Sequence, residues 1–212
     1  MSVILKQMKI GPMLNFVYFI GSEKTGEIAV VDPAWDIDYL LKEAALNSFS
    51  ITRILLTHGH PDHTDGADEL ARRFNVPVTI SIEEAPFYTP DCRNLEAVRP
   101  GSFIEIGDVR IECIGTPGHS PGGMCFKCED ILLTGDTLFI NGCGRCDLPG
   151  GDAKNLYHSL YDVILKLPDS TIIYPGHHYG TLNFSTLEEQ RKSNPYLKCR
   201  SEQEFLRNRM GY

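Results

Sequence analysis

The feature that most constrains this chain is a run of metal-binding side chains directly after a short apolar segment. Residues 54–56 are apolar and predict the end of a buried β-strand, and the next seven residues read Thr-His-Gly-His-Pro-Asp-His. The candidate ligands in this run are His58, His60, Asp62 and His63. Imidazole and carboxylate are ligands that zinc, iron and manganese accept, and a short turn after a rigid strand can direct several of them at one point. The alternative is a solvated polar loop, which gives no reason for so many imidazoles together.

Three later segments repeat this pattern of an apolar run, small residues and then a candidate ligand. The residues at their ends are His119, Asp136 and His177. A glycine precedes each of them, as expected where the chain must turn sharply and leave space for an ion. Taken singly, either histidine could be a core residue and the aspartate a turn residue. Together with the first cluster, the three predict a metal centre.

The number of candidate ligands predicts two ions rather than one, because five histidines and two aspartates exceed the needs of one tetrahedral ion. We divide them into two groups that share Asp136. The first group is His58, His60 and His119, and the second group is Asp62, His63 and His177. A carboxylate that bridges two ions about 3.5–4 Å apart leaves room for a hydroxide between them. Hydroxide is available near neutral pH because a bound metal ion lowers the pKa of water to roughly 7. Asp62 could orient that hydroxide, so we assign it a catalytic role as well. We expect zinc, with iron or manganese as alternatives.

Cysteine spacing raises the question of a separate zinc site. Cys125 and Cys128, like Cys143 and Cys146, have the paired spacing of a structural thiolate site. However, residues three apart on a strand point to opposite faces, and the segment around Cys125 is predicted to be a strand. The total of seven cysteines is odd and scattered, which favours reduced thiols. We therefore do not expect a four-thiolate site.

The Thr-His-Gly-His-Pro-Asp-His run resembles the HxHxDH signature of the metallo-β-lactamase superfamily, and the later ligands follow in that superfamily's order. The resemblance extends from about Met8 to at least Tyr179. The stretches Gly-Asp-Thr-Leu-Phe at Asp136 and Gly-Cys-Gly-Arg at Arg145 are similar to the glyoxalase II-like (hydroxyacylglutathione hydrolase-like) branch. True β-lactamases usually lack an acid at the Asp136 position. The resemblance implies an α/β fold, a four-layer αββα sandwich, formed as one domain over residues 1–212.

For function, the resemblance implies hydrolysis of a thioester such as S-lactoylglutathione by a metal-bound hydroxide, with a thiolate leaving. Arg145 and Tyr179 match positions that help to bind glutathione in that branch. The alternatives for these two are a surface salt bridge and a packed ring. His177, rather than the adjacent His178, matches the last ligand. The sequence ends at residue 212, which resembles a short form without the C-terminal helical domain, so glutathione could be a poor substrate or none.

The sequence leaves other reactions open. The residues after Arg145 also resemble persulfide dioxygenases, which share the motif but use a single Fe(II). In that family the iron is held at positions matching His58, His119 and Asp136, and the substrates are O2 and glutathione persulfide. A metal-stabilised binding protein without turnover is a third hypothesis, against which the complete ligand set argues. A phosphodiester or RNA-processing role is a fourth.

Composition excludes some partners. A net charge of −8 over 212 residues argues against nucleic acid, because phosphate contacts need a basic surface. No apolar run approaches the length of a membrane span, and the first residues lack the features of a signal peptide. We therefore expect a small-molecule substrate, no membrane partner and a cytoplasmic location. The oligomeric state stays open.

Periodicity and capping residues predict strands that alternate with helices, with the first strand at 13–20. Three aspartates, Asp36, Asp65 and Asp152, are predicted to cap helices. Capping-box patterns that begin at Ser185 and Ser201 predict two further helices near the end. The proline-containing segment 83–100 is predicted to be a loop that borders the substrate site.

Overall fold

The computed structural model describes residues 2–88 and 94–211, and within them the strands form two six-stranded sheets and a small hairpin. The strands are β1 Val3–Ile10, β2 Asn15–Ser22, β3 Glu27–Val31, β4 Ser50–Leu55, β5 Val78–Ser81, β6 Leu95–Val98, β7 Phe103–Ile106, β8 Val109–Gly115, β9 Met124–Cys128, β10 Ile131–Gly135, β11 Leu138–Phe139, β12 Gly142–Cys143, β13 Ile172–Pro175 and β14 Ser185–Thr186. The α-helices are α1 Ile37–Leu46, α2 Pro61–Thr64, α3 Ala67–Phe74, α4 Ala153–His158, α5 Leu187–Ser193 and α6 Glu202–Met210.

The strand order brings the ends of the ligand-bearing strands together. The first sheet has the order β1-β2-β3-β4-β5-β6, with β3 and β4 parallel neighbours. The second has the order β14-β13-β10-β9-β8-β7, with β10 and β13 parallel neighbours. Parallel neighbours end at the same edge of a sheet. The segments that follow β3 and β4, and those that follow β10 and β13, therefore emerge side by side.

Hydrophobic side chains fill the layer between the two sheets. Phe16, Tyr18 and Leu55 from the first sheet pack in one cluster with Ile111 and Phe126 from the second. Neighbouring residues on one strand alternate between this layer and the outer one, as the period of a strand requires. Each sheet therefore buries side chains on its inner face, in this central layer, and on its outer face.

Helices cover the outer face of each sheet. Leu40 of α1 and Leu70 of α3 pack in one cluster with Ile54 of β4. On the opposite side, Leu156 of α4 and Phe205 of α6 pack in another cluster, against the second sheet. The layer order is helix, sheet, sheet, helix, so the predicted αββα sandwich is confirmed.

Several predicted helix starts are confirmed by side-chain hydrogen bonds. The Asp36 carboxylate accepts from the backbone N–H of Tyr39 at 2.9 Å, and the Asp152 carboxylate accepts from Lys154 at 2.8 Å. The Ser201 hydroxyl oxygen likewise accepts from the backbone N–H at the third position of α6. Each bond satisfies a backbone donor that the first helical turn leaves unpaired.

Two predicted caps are wrong. Asp65 does not cap α3, which Gly66 precedes; its carboxylate accepts instead from the backbone N–H of Trp35 at 3.0 Å. The short helix α2 ends directly before Asp65, so the chain has already formed a helical turn where Asp65 was expected to begin one. The capping box expected to begin at Ser185 begins one residue later, with Thr186 and Glu189. Ser185 pairs within β14, which delays the helix.

The segment 83–100 differs from the predicted loop. Residues 95–98 form β6, which pairs in parallel with β5. Residues 89–93 lie outside the described part of the chain. In the described part, Glu84 lies beneath the loops that carry the histidines and is only 2% exposed.

The opening strands also differ from their prediction. The strand expected at 13–20 spans 15–22, and β1, which was not predicted, pairs with it along its whole length. None of the helices in the described part of the chain is both long and apolar enough to cross a membrane.

We expect Phe126→Ala to lower the free energy of unfolding by about 3–5 kcal/mol, since its ring is fully buried between the sheets and its loss leaves a cavity. Urea denaturation measures this change. Phe87, which is 62% exposed, provides the matched control, and Phe87→Ala should change stability by less than about 0.5 kcal/mol. Equal effects of the two substitutions would contradict the assigned central layer.

Candidate metal centre

All seven predicted ligands converge at one edge of the two sheets. The first histidines follow β4, and the short helix α2 carries Asp62 and His63. The other three ligands follow β8, β10 and β13 of the second sheet. Proline at the first position of α2 suits a helix start, where no backbone N–H is needed.

Three groups of ligand atoms lie close together in the described part of the chain; two have the composition expected from the sequence, and the third joins Asp32 to His58 and His63. One atom from each of His58, His60 and His119 lies within 4.8 Å of the others, and the same holds for Asp62, His63 and His177. Asp136 lies between the groups. One of its oxygens is 3.4 Å from His63 Nε2, and the other is 3.5 Å from His119 Nε2. The His/Asp cluster therefore fits a divalent metal site.

The second group has ring nitrogens turned towards each other. His63 Nδ1 lies 3.0 Å from a carboxylate oxygen of Asp32, and His177 Nδ1 lies 2.9 Å from the carbonyl oxygen of Met13. Both acceptors require a proton on Nδ1, so Nε2 of each neutral ring carries a lone pair. These two Nε2 atoms are 3.1 Å apart. Only a cation or a proton between them relieves the repulsion.

Acceptors also fix the tautomers of two rings in the first group. His119 Nδ1 donates to the carbonyl oxygen of Arg145 at 2.8 Å, which leaves its Nε2 as a lone pair 3.0 Å from His60 Nδ1. His58 Nδ1 donates to the Thr57 hydroxyl, because that hydroxyl gives its own proton to Asp32 at 2.6 Å. His58 Nε2 is then buried without a partner, as is one oxygen of Asp136. Buried acceptors without donors fit a bound cation.

Burial and neighbouring charges set the protonation of the first group. Burial lowers the pKa of His58 well below its ordinary value, and the neighbouring His63 adds to this effect. Burial also lowers the pKa of His60, with His119 adding to it. Neutral imidazole is the form that binds metal. These two rings are therefore already in the neutral form that a metal ion needs.

Opposite charges act on the second group. Burial would lower the pKa of His63, but the charges of Asp136 and Asp32 outweigh it and raise that pKa to about 9. Burial would raise the pKa of Asp136, but the surrounding imidazoles, His63 first, hold it well below its usual range. A proton thus occupies the gap beside His63 in the metal-free protein and must leave when a metal ion enters.

Asp32 is a supporting residue that our sequence analysis missed. Its carboxylate accepts from the Thr57 backbone N–H at 2.7 Å as well as from the Thr57 hydroxyl and His63. It therefore orients one histidine of each group. Its φ of 51° is a left-handed conformation that few residues other than glycine adopt. The signal was present in the sequence, because Asp32 follows the apolar strand β3 as the other acids follow theirs.

Two further buried side chains connect the ligand loops. The Glu84 carboxylate accepts from the backbone N–H of Gly59 at 2.9 Å and of Gly122 at 2.7 Å, which ties the first ligand loop to the His119 loop. The Asn15 amide donates to the Asp62 carboxylate at 3.0 Å and to its carbonyl oxygen at 2.9 Å. Neither residue has a motif that distinguishes it in the sequence.

Glycine is required beside two of the ligands. A Cβ atom at position 176 would lie 2.5 Å from an Asp136 oxygen, and one at position 135 would lie 2.4 Å from the Thr57 hydroxyl. Both distances are shorter than carbon and oxygen atoms tolerate. Gly135 also has a φ of +48°. The glycines noted in the sequence therefore let the strand ends approach each other.

A cavity of about 330 Å³ opens onto the ligands, which is at the lower end of the range for small-molecule sites. The two predicted substrate-binding residues, Arg145 and Tyr179, both line it. Tyr179 stacks on the His177 ring at 4.5 Å between centroids, and burial followed by the charge of Asp136 raises the pKa of its phenol to about 12. The Arg145 guanidinium pairs with Asp147 at 2.7 and 2.6 Å.

Residues that could have been confused with ligands lie elsewhere. His178 packs edge-on against Phe16 rather than in either group. His158 pairs on the surface with Asp162. Among the described residues, no three cysteine sulfurs lie close enough together to share a metal ion. Cys125 and Cys128 belong to different hydrophobic layers, as the strand period predicted.

A family model described as the metallo-beta-lactamase superfamily matches residues 10–177. The chain belongs to the metallo-β-lactamase superfamily. This confirms the resemblance that the ligand motif indicated, and it agrees with the αββα layers.

The relatives of this superfamily member carry different names. It is 35% identical to "Probable polyketide biosynthesis zinc-dependent hydrolase BaeB" from Bacillus velezensis, over 92% of this chain and 88% of the relative. It is 33% identical to the mitochondrial persulfide dioxygenase ETHE1 of Mus musculus, over 97% and 80% of the two chains. It is 34% identical to a hydroxyacylglutathione hydrolase from Shewanella halifaxensis, over 86% and 69%. Sequence identity therefore does not separate hydrolase from dioxygenase.

Solved structures of similar fold also carry different names. ETHE1 from Myxococcus xanthus superimposes with a TM-score of 0.89 at 30% identity, over 99% of this chain and 92% of that one. The protein TTHA1623, solved in a di-iron-bound form, has a TM-score of 0.79 at 27% identity, over 91% and 100%.

Asp32→Asn should weaken metal binding about 10–100-fold, because an amide offers one acceptor oxygen to donors that now share two. Competition with a chromophoric chelator measures the affinity. Asp162→Asn makes the same chemical change at the surface partner of His158 and should leave the affinity unchanged. Wild-type affinity in a folded Asp32→Asn protein would show that Asp32 does not orient the ligands.

Proposed function

We propose that this protein is a metal-dependent hydrolase that cleaves a thioester, such as S-lactoylglutathione, with two zinc ions. The ions would be held by His58, His60 and His119, by Asp62, His63 and His177, and by Asp136 between them. The observation that carries the proposal is the second ligand group, which has the same close spacing as the first and could hold a second ion. Similarity to a relative named as a zinc-dependent hydrolase supports zinc.

Two ions held by these residues would make an ionised water molecule available at neutral pH and would polarise the carbonyl oxygen of the substrate. A side chain of the protein, Asp62, would accept the proton of the attacking water molecule. Asp62 lines the cavity, and the Asn15 amide fixes one of its carboxylate oxygens at 3.0 Å. Asn15 is itself held by the Trp35 indole, which donates to its side-chain oxygen at 2.8 Å. Asp62 is therefore positioned to orient the nucleophile and to accept its proton.

The departure of the leaving group needs no acid catalysis by the protein. A thiolate is a stable leaving group, so no protein acid is required to protonate it in the transition state. Tyr179 contributes a rigid ring at the cavity wall, since it stacks on His177 and contacts Phe139 edge-on. Arg145 contributes its backbone oxygen to His119 and a guanidinium at the rim. We assign both residues to substrate binding.

A second candidate function is a persulfide dioxygenase with a single Fe(II) at His58, His119 and Asp136. The observation that favours it is the likeness to the ETHE1 proteins in both sequence and fold. Under this alternative, the second ligand group would have no metal to bind. Persulfide dioxygenases share the ligand motif, so the choice between the two functions depends on metal content and activity. We prefer the hydrolase because it would use both ligand groups.

The protein as purified should cleave S-lactoylglutathione. The loss of the thioester absorbance measures this cleavage. Asp62→Asn should lower kcat about 100-fold or more, because an amide cannot accept the proton. Asp38→Asn, an exposed change on α1, is the control and should keep wild-type activity.

The same preparation decides between the two candidates when its metal is measured under anaerobic handling. The hydrolase predicts about two ions per chain and no oxygen uptake with glutathione persulfide. One iron per chain, rapid oxygen uptake and no thioester cleavage would establish the dioxygenase instead.

A further inference from the structure

The cavity has a second arginine that the sequence motifs did not identify. Arg209, near the end of α6, lines the same cavity as the candidate ligands. Helix α6 lies on the outer layer of the second sheet, yet its last turn reaches the cavity rim. This places a cation opposite the metal centre.

The two arginines differ in what balances their charge. The Arg145 guanidinium is held by both oxygens of Asp147. Within residues 2–88 and 94–211, no ion pair to Arg209 is present at 4.0 Å or less. Its Nε is buried and has no hydrogen-bond acceptor there. A buried donor without an acceptor is costly in a folded protein and is typical of a group that awaits a ligand.

The surroundings of Arg209 fix its position without neutralising it. Its guanidinium carbon lies 5.7 Å from the centroid of the Tyr196 ring, and a terminal nitrogen is 3.4 Å from the Tyr196 hydroxyl. The turn that carries Tyr196 is held by Asn194, whose amide donates to Gly142 at 3.0 Å in the hairpin beside the cavity. A guanidinium held through one terminal nitrogen still has further N–H donors for an anion.

Neighbouring thiols do not supply the missing negative charge. The Cys146 thiol contacts the Arg209 side chain and Cys143 lies near it, but burial raises the pKa of Cys146 to about 11 and that of Cys143 further. Both are therefore neutral thiols near pH 7. The charge of Asp147 also reaches Arg209, but both Asp147 oxygens are bound by Arg145, so an anionic ligand could pair with the Arg209 guanidinium directly.

We propose that Arg209 binds an anionic group, a carboxylate or a phosphate, on the thiol portion of the substrate. This inference rests on the proposed function, in which the acyl carbon lies at the ligands and the thiol portion extends along the cavity. Arginine forms bidentate bonds with either anion, so the two sources share one chemistry. Arg209 would thus select substrates with a charged carrier thiol.

Binding of unreactive thioethers tests this assignment independently of turnover. Isothermal titration calorimetry on the metal-loaded protein would use S-methylglutathione as the carboxylate probe and S-methyl-4′-phosphopantetheine as the phosphate probe. S-methylpantetheine, which lacks the phosphate, is the neutral probe. We expect one anionic probe to bind at least about tenfold more tightly than the neutral one, which identifies the source of the anion.

Arg209→Met should weaken the preferred anionic probe at least about tenfold, leave the neutral probe unchanged, and be partly rescued in Arg209→Lys. Arg207→Met, on the exposed side of the same helix, is the matched control and should bind like the wild type. Thermal melts would verify that each variant is folded. Equal binding of the anionic probes by wild type and Arg209→Met, or no preference of the wild type for either anion, would overturn the inference. Loss of thioester cleavage with intact Arg209-dependent binding would instead contradict only the proposed reaction.

Discussion

The rest of the structure depends on one electrostatic constraint: lone pairs and carboxylates are crowded into a small volume with too few protons to separate them. His63 and His177 turn their Nε2 atoms towards each other at 3.1 Å, and His58 Nε2 has no donor. Such a cluster repels itself unless protons or metal ions lie between its members. The fold must therefore supply the rigidity that holds these groups in place against their repulsion.

That rigidity comes from two sources. Parallel strand pairs place the ligand loops side by side, and glycines at 135 and 176 allow a close approach that a Cβ would block. Asp32 and the carbonyl oxygens of Met13 and Arg145 then fix which ring nitrogen carries the proton. Because each supporting acceptor lies on a different loop, the centre also joins the two halves of the chain. Metal binding should accordingly stabilise the fold as a whole.

The sequence was informative where chemistry repeats at short range. The His-rich run and the apolar segments before His119, Asp136 and His177 predicted both ligand groups, and the same segments gave most strands. It failed where long-range contact decides the role of a residue. Glu84 and Asn15 act through partners far along the chain, so no local pattern marks them. Asp65 was misassigned because a separate helix begins before it. The single-domain organisation, the cytoplasmic location and the individual ligand roles stay predictions.

The central claim is that this centre holds two ions that share Asp136. Anomalous X-ray diffraction from crystals of the purified protein, recorded on both sides of the zinc and iron absorption edges, tests it most directly. The account predicts two anomalous peaks per chain about 3.5–4 Å apart, one beside His58, His60 and His119 and the other beside Asp62, His63 and His177. A single peak beside the first group, with the second group empty at full metal supply, would contradict it.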